Sequence, residues 1–499
     1  MTSVVVVGAG LAGMVAARLL AQQGYEVTVL EAGKRAGGKA GADFEDNKWR
    51  EHGYHIFPSW YFNIRKLIGE LQEEHQTEFI DFDQFYYLLS NKDRQKPQYR
   101  DRKLKYGTMI PMYSFDSFSN ILKNIFSGLA PWPEVFLQAY FVIDALAERM
   151  SRKHFLDRIS RTGLLRSRWY ANDRIAELEG ESTLKASAIP AYEMSAMTAK
   201  LVTGYWLKNR SPFLSILNQN LQTAFVEPIL ELVKKAGVEV RFESRVKGLD
   251  LDGNRMLSVT LQNGEKVSAD QFIITTPLEV TRSLVKSDLL KQNHKLGNLQ
   301  HLEAAPMAAL HLSLNRKLDN IPREHVFFKG GEFGLSFIDL SNHWPDMENS
   351  ELSFISSNFM PLQQLSEDAQ FELLFEEIKK YIAISEPDIV SSKFLPNSED
   401  PLFINTVAAW ASRPDVKDGK VENLYFAGDW VRSGIDLACM EGAVSTAMLA
   451  AHALDKAVNG STMLEEPLVP KQYSILTMKI LKAVLFPFVV LAWLISRLR

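Results

Sequence analysis

The stretch SVVVVGAGLAGMVAARLLAQQGYEVTVLE, residues 3–31, constrains this chain more than any other. Its valine run reads as a strand buried on both faces of a parallel sheet. Gly8, Gly10 and Gly13 follow as G-x-G-x-x-G, then a helical stretch that Gly24 closes, then YEVTVLE as a second strand. In such a unit Gly8 allows the tight turn, Gly10 lets a pyrophosphate approach the backbone, and Gly13 lets helix and strand pack closely. The helix N-terminus, opening at Leu11-Ala12, offers free N–H groups and a positive dipole end to phosphates. Glu31 ends the second strand and can accept hydrogen bonds from an adenosine ribose, while its charge repels a 2′-phosphate. The unit as a whole reads as a dinucleotide site.

AGKRAGGKAG follows at once, from Ala32. Gly37-Gly38, flanked by Arg35 and Lys39, forms a flexible turn beside positive charge, a second cradle for a pyrophosphate. Residues 228–277 read as a helix ending at Gly237, strands at Val238–Phe242 and Met256–Leu261, and a buried strand ADQFIITTP stopped by Pro277. Further on, residues 305–315 and 325–341 each alternate like a strand, and SEDAQFELLFEEIKKYI is an amphipathic helix with Ser366 as its N-cap. Near the C-terminus NLYFAGDW, residues 423–430, is a short buried strand running into Gly428-Asp429-Trp430, with a small-residue helix from MEGA after it.

With 499 residues, 46% hydrophobic and a net charge of −4, the chain is a globular protein of two or more intertwined domains, with no charge excess for nucleic acid. Cys439 is the only cysteine, which excludes intrachain disulfides and cysteine clusters and suits a reducing compartment. No His/Cys/Asp/Glu set has metal-ligand spacing, and no nucleophile motif such as G-x-S-x-G is present. The apolar start lacks the basic n-region of a signal peptide.

These motifs resemble the FAD-dependent amine oxidase superfamily, in which the fingerprint and acidic ribose ligand are followed by G-G-[RK], and a C-terminal G-D returns to the same flavin. The segment WREHGYHIFPSWYFNIRKLIGEL (49–71), with YEMSAMTA, ASRPD and GDW…MEGAVSTA, is most similar to plant- and cyanobacterial-type carotenoid (phytoene and ζ-carotene) desaturases and to hydroxysqualene dehydroxylases. One departure is Val431-Arg432, where those proteins carry Thr after G-D-[WY]. The resemblance implies an α/β fold: a Rossmann-type FAD-binding domain in three segments (1–84, 221–280, 406–460), an inserted α+β substrate domain (85–220, 281–405) and a C-terminal hydrophobic helix (473–499). It carries Ala32, Gly37, Gly38 and Lys39 over to the cofactor, with Val246 near the adenine, Gly428 and Asp429 at the ribityl or phosphate oxygens, and Met440, Glu441 and Gly442 at the helix end facing the flavin. His55 would order the loop beside the isoalloxazine. No catalytic residue is assigned; His55 and Arg413 are the candidates. His52 is a lone histidine, and Trp430 either contacts flavin or packs.

The tail YSILTMKILKAVLFPFVVLAWLISRLR is strongly apolar, with Lys479 and Lys482 at one end, Arg497 and Arg499 at the other, and Pro487 as a kink. Its uncharged core of fourteen residues is about 21 Å as helix, against a bilayer core of about 30 Å. Membrane attachment, spanning or in the interface, is expected, with a buried soluble helix as the alternative. Residues 121–174 add apolar aromatics beside Arg149, Arg152, Lys153, Arg158, Arg161, Arg166 and Arg168, a pattern suited to an anionic membrane face. The expected partners are therefore a lipophilic isoprenoid and a membrane surface on its cytoplasmic side, with the electron acceptor, quinone or oxygen, left open. The competing readings are an amine or protoporphyrinogen oxidase, and a prenyl-binding protein of the Rab GDP-dissociation-inhibitor type that uses no flavin.

Overall fold

A computed structural model describes residues 1–45, 48–96, 109–344, 347–417 and 419–498. Five parallel strands run Glu239–Arg241, Glu26–Leu30, Ser3–Val7, Gln271–Ile274 and Leu424–Phe426 in spatial order. The valine run sits in the centre. Val4 and Val6 face one core, Val5 and Val7 the other, all nearly inaccessible to water. Helices Leu11–Gln22 and Met440–Asn459 cover one face and pack through Ala16, Ala17, Ala447, Ala450 and Ala451. Small side chains on both helices permit this close approach. The first and last segments of the fold thus share one sheet, with the strand of residues 271–274 between them.

The strand expected over 238–242 shortens to Glu239–Arg241, and Val246–Asp252 forms a further strand before the Gly253 turn. It pairs with Arg255–Leu261, which pairs with Lys266–Ser268, as a small antiparallel sheet.

The inserted segments build a seven-stranded mixed sheet in the order Ile389–Leu395, Ala308–Leu314, Glu351–Ser356, Leu335–Asp339, Val326–Phe328, Gln84–Leu88 and Met109–Tyr113. Only the pairing of Val326–Phe328 with Gln84–Leu88 is parallel. Every residue of Ala308–Leu314 is buried. The single strand expected over 325–341 is instead a hairpin, with Val326 opposite Phe337. Gly330 (φ +68°) and Gly334 (φ +61°) take the positive φ its turn requires, which period-two alternation alone does not reveal. Ser366 caps helix Glu367–Lys379, accepting the Ala369 N–H at 3.4 Å. A three-stranded antiparallel sheet of Phe57–Pro58, Leu214–Leu217 and Phe79–Phe82 joins the two units.

The cation-rich stretch 149–168 is only partly an open basic face: Arg149 and Arg158 are exposed with no ion pair among the described residues, whereas its other arginines have acid partners. Arg161 is 1% exposed, donates to Glu179 at 2.6 Å and lies over the Phe141 ring. Arg168 pairs with Asp144 (3.0 Å) and Glu148 (2.6 Å), Arg152 with Glu148 (2.9 Å), and Arg166 with Asp173 (3.1 Å). The neutralising acids come from outside the stretch, so counting charges within it overstates the local field.

The tail is one helix, Ile475–Arg497, with Pro487 inside it. By length and composition it can cross a membrane, and among its described side chains only Met478, Val489, Ala492 and Ser496 are buried. Arg499 lies outside the described residues.

Candidate functional site

The fingerprint turns at the C-terminal edge of the parallel sheet. Gly8 takes φ +109°, and a Cβ there would lie 2.9 Å from Thr275 Oγ1. A Cβ on Gly13 would lie 1.9 Å from the Gly8 carbonyl oxygen, so only glycine fits. Gly10, the residue before the helix, is different: a Cβ there would meet no protein atom nearer than Gly37 O at 4.0 Å. Gly37 (φ +121°) donates its N–H to Ala9 O at 2.9 Å and bridges to Gly10, so the second glycine turn lies directly against the first. The open position over Gly10, bounded by Leu11-Ala12 and Gly37-Gly38, is the space a pyrophosphate needs.

Glu31 stands at the edge of this cradle. Its carboxylate accepts the Ala9 and Gly33 N–H groups, each at 2.7 Å, one on each oxygen. The second lone pair of each oxygen is left to accept a ribose hydroxyl. Glu31 O accepts the Ser244 N–H at 2.7 Å, which carries the chain to Val246, in one buried cluster with Leu30. Ala32, next after Glu31, is half-buried. Glu31→Gln is expected to weaken FAD binding by about 1.5–3 kcal/mol, roughly ten- to hundredfold, measured as flavin released on dilution; unchanged retention would remove Glu31 from the ribose. The flanking cations also have protein partners. Arg35 pairs with Asp43 at 2.8 Å, and Lys39 reaches Pro401 O and Asp400, tying the cradle to the end of the second insertion.

The returning strand Leu424–Phe426 delivers Gly428-Asp429-Trp430 to the same sheet edge. Gly428 takes φ +143°, with Trp430 Nε1 2.9 Å from where its Cβ would be. Its N–H donates to Thr446 Oγ1 at 2.9 Å, fixing the turn to the following helix. Trp430 packs at 1% exposure and donates Nε1–H to Thr276 O. Asp429 is half-buried; burial raises its carboxyl above the usual range, opposed by the Lys39 and Arg413 charges. Arg413 is buried and held by Asn405 (2.8 Å), the Val431 carbonyl (3.4 Å) and Asp436 (3.7 Å) over the Phe403 ring.

Cys439 Sγ caps helix Met440–Asn459, accepting the Gly442 N–H at 3.4 Å. The N–H groups of Met440 and Glu441 have no carbonyl one turn back within the helix and are free for an anion or polar ring edge. The Glu441 side chain points elsewhere. Fully buried, it accepts Asn63 N–H (2.9 Å), Asn63 Nδ2–H (2.7 Å) and Ile64 N–H (3.0 Å), capping helix Phe62–His75; burial pushes its carboxyl up to about 7. Only the Glu441 backbone is left for a cofactor.

His52 is structural: its Nδ1 and carbonyl pair with the Asn397 side chain at 2.8 and 3.1 Å. His55 Nδ1 faces Glu51 Oε2 at 3.2 Å, while Glu51 Oε1 accepts the Leu221 N–H at 2.6 Å. Both line a cavity between the cofactor segment and the seven-stranded sheet, walled by Phe57, Ile216, Leu217, Ile338, Leu340 and Trp344. Glu51 escaped the sequence reading: it ends the strand Lys48–Glu51 and residues 52–55 are loop, so no helical spacing links it to His55. Thr446 escaped it too; Asn63 lies in the 49–71 segment that carries the resemblance, but no local pattern marks its pairing with Glu441.

The free N–H groups, the ribose carboxylate, the open position over Gly10 and the available Asp429 all fit FAD. Residues 11–455 match the flavin-containing amine oxidoreductase family, and the chain belongs to it. It is an FAD-dependent oxidoreductase. It is 26% identical over 464 residues to the 15-cis-phytoene desaturase of Solanum lycopersicum, covering 90% of this chain and 77% of that one. It is 23% identical over 465 residues to the hydroxysqualene dehydroxylase of Zymomonas mobilis, covering 89% and 97%. A redesigned putrescine oxidase shares the fold at TM-score 0.69 and 16% identity, over 92% of this chain and 99% of that one.

Proposed function

We propose that this oxidoreductase acts on a long lipophilic isoprenoid, of the class named by its phytoene desaturase and hydroxysqualene dehydroxylase relatives. The observation that carries this is the match to those relatives over 90% and 89% of this chain; the small cavity beside the cofactor segment, walled mostly by aliphatic and aromatic side chains, agrees with it. Of the polar groups that line it, Glu51 and His55 are engaged with each other and the Tyr54 hydroxyl with His325 and Ser336, and Gln219 also lines it. Segments 1–84, 221–280 and 406–460 carry the cofactor in this reading, and 85–220 and 281–405 the substrate. Gly8, Gly10, Leu11, Ala12, Gly13, Gly37, Gly38 and Lys39 surround the pyrophosphate, Glu31 and Ala32 the ribose, and Val246 the adenine. Gly428, Asp429, Gly442 and the N–H groups of Met440 and Glu441 hold the ribityl and ring end.

Bound FAD supplies two-electron redox chemistry. The chain's own groups exclude water, place the polyene and handle a proton. With Nδ1–H donated to Glu51, His55 keeps Nε2 as an acceptor toward the cavity, and the Glu51 carboxylate steadies the imidazolium that results. The buried Arg413 charge favours the ionised form of Asp429. The helix Ile475–Arg497 holds the enzyme at the membrane in which such a substrate dissolves.

The test is anaerobic mixing of the purified yellow holoprotein with phytoene or hydroxysqualene in liposomes, and separately with putrescine, following flavin absorbance near 450 nm. Bleaching by phytoene, or turnover of hydroxysqualene by the pre-reduced enzyme, supports the isoprenoid reading. His55→Gln should slow either by one to several orders of magnitude with flavin content unchanged. Bleaching by putrescine alone would replace the isoprenoid with an amine, the reading favoured by the oxidase structures that share the fold.

A further inference from the structure

We infer that the C-terminal helix lies in the plane of a membrane surface, docked along its length to the globular body, and does not cross the bilayer. This rests on the membrane attachment proposed above and specifies its geometry.

Length does not decide the matter, because 23 residues of helix span about 34 Å, close to the roughly 30 Å of a bilayer core. Docking does. The tail runs antiparallel to helix Trp132–Leu146. Lys482 Nζ donates to Asp144 Oδ1 at 2.6 Å near one end, and Ser496 Oγ donates to Glu134 Oε1 at 2.9 Å near the other. Asn172 Nδ2 also donates to Ser496 Oγ at 3.0 Å, and the Trp169 ring packs edge-on to Phe486 and Trp493. Met478, Val489, Ala492 and Ser496 form the buried stripe. A spanning orientation would either break all of these contacts or draw Glu134, Asp144 and Arg168 toward the hydrocarbon with the helix.

The opposite stripe is apolar and open to solvent. Leu476, Ile480, Val484, Phe488, Leu491 and Leu498 are all exposed, and the helix contains no acid. The patch continues beyond the tail. Near the Glu134–Ser496 contact Trp132 meets the Phe126 ring, at the end of helix Phe118–Ile125. That second helix exposes Phe118 (75%) and Leu122 (39%), and Phe126 beside it is 61% exposed. Exposed Lys123, Lys479 and Arg497 frame the combined face with positive charge. Two apolar helical surfaces near the Trp132 end of helix Trp132–Leu146, each bearing exposed cations, fit the headgroup–acyl boundary of an anionic bilayer. A second copy of the chain, the other candidate for an apolar face, does not call for the cationic rim.

The test uses full-length flavoprotein with Cys439→Ser, which keeps a capping side chain, as the background for Lys471→Cys or Leu498→Cys. Each variant is added to preformed phosphatidylcholine/phosphatidylglycerol vesicles and treated from outside with a membrane-impermeant maleimide. Nitroxide depth is measured at Val484→Cys and Leu491→Cys. The expected result is co-flotation with vesicles, external labelling at both 471 and 498, and equal shallow depths at 484 and 491. Flotation with 498 protected until the vesicles are lysed overturns the in-plane inference and leaves membrane attachment standing. Failure to float overturns the attachment itself, and a lipid-free dimer that shields 498 assigns the face to a second copy.

Discussion

Gly10→Ala is expected to yield a folded, colourless protein, whereas Gly13→Ala is expected to yield little folded protein at all. The two glycines lie three residues apart in one motif, yet a methyl group meets opposite surroundings at each. At Gly10 it finds no protein atom nearer than 4.0 Å, and the backbone (φ −71°, ψ 179°) is one alanine adopts freely. The cost to the fold is the loss of a good N-cap residue, about 1 kcal/mol or less. The methyl group instead fills the place of the pyrophosphate. Losing one charge-assisted N–H contact there removes about 1.5–3 kcal/mol, so retained flavin should fall roughly ten- to hundredfold while circular dichroism and melting stay near wild type. At Gly13 the same group lies 1.9 Å from Gly8 O and 2.8 Å from Thr275 Oγ1. The helix must then leave the sheet, an overpacking cost of about 1–3 kcal/mol or more, with lower soluble yield and melting temperature. If Gly10→Ala keeps its full complement of flavin, the pyrophosphate is not over Gly10.

The parts of this site that sequence reveals are those imposed by backbone geometry on a few neighbouring residues. Gly8, Gly13, Gly37 and Gly428 each answer a local requirement, a positive φ or a close approach, and each is legible as a motif. Glu31 is legible because it follows the second strand directly. Side-chain partnerships made across the fold are not. Glu441 was placed at the cofactor by its motif, yet its carboxylate serves Asn63 and Ile64, some 378 residues away in sequence. Arg161 and Arg168 looked like membrane-facing charge until folding brought Glu179, Asp144 and Glu148 against them. The hairpin at 326–339 was hidden because alternation on both arms has the same period as one long strand. Periodicity reports which residues are apolar, and tertiary contact decides which charges remain free.

Ending the chain at Ser474 is expected to abolish flotation with vesicles and also to destabilise the soluble body, because the tail is a packed element as well as an anchor. Deletion takes Ser496 from Glu134 and Lys482 from Asp144. It also uncovers the face of helix Trp132–Leu146 under Val489 and Ala492. Asp144 keeps Tyr170 (2.8 Å) and Arg168 (3.0 Å), so its carboxylate is not stranded. Glu134 keeps only the Arg174 guanidinium at 3.3 Å, which is half-exposed. The lost packing should therefore dominate, at roughly 2–4 kcal/mol, seen as a lower melting temperature and a tendency of the truncated protein to aggregate. Among the described residues the cofactor cradle shares no hydrogen bond with 475–498, so whatever remains folded should retain FAD. Lys482→Met separates the two roles: it removes one ion pair but leaves the apolar face, so flotation should persist with only a small loss of stability. A truncated protein that melts with the full-length chain would mean that the tail is tethered and not docked, and the polar contacts at Asp144 and Glu134 would then carry no weight in solution.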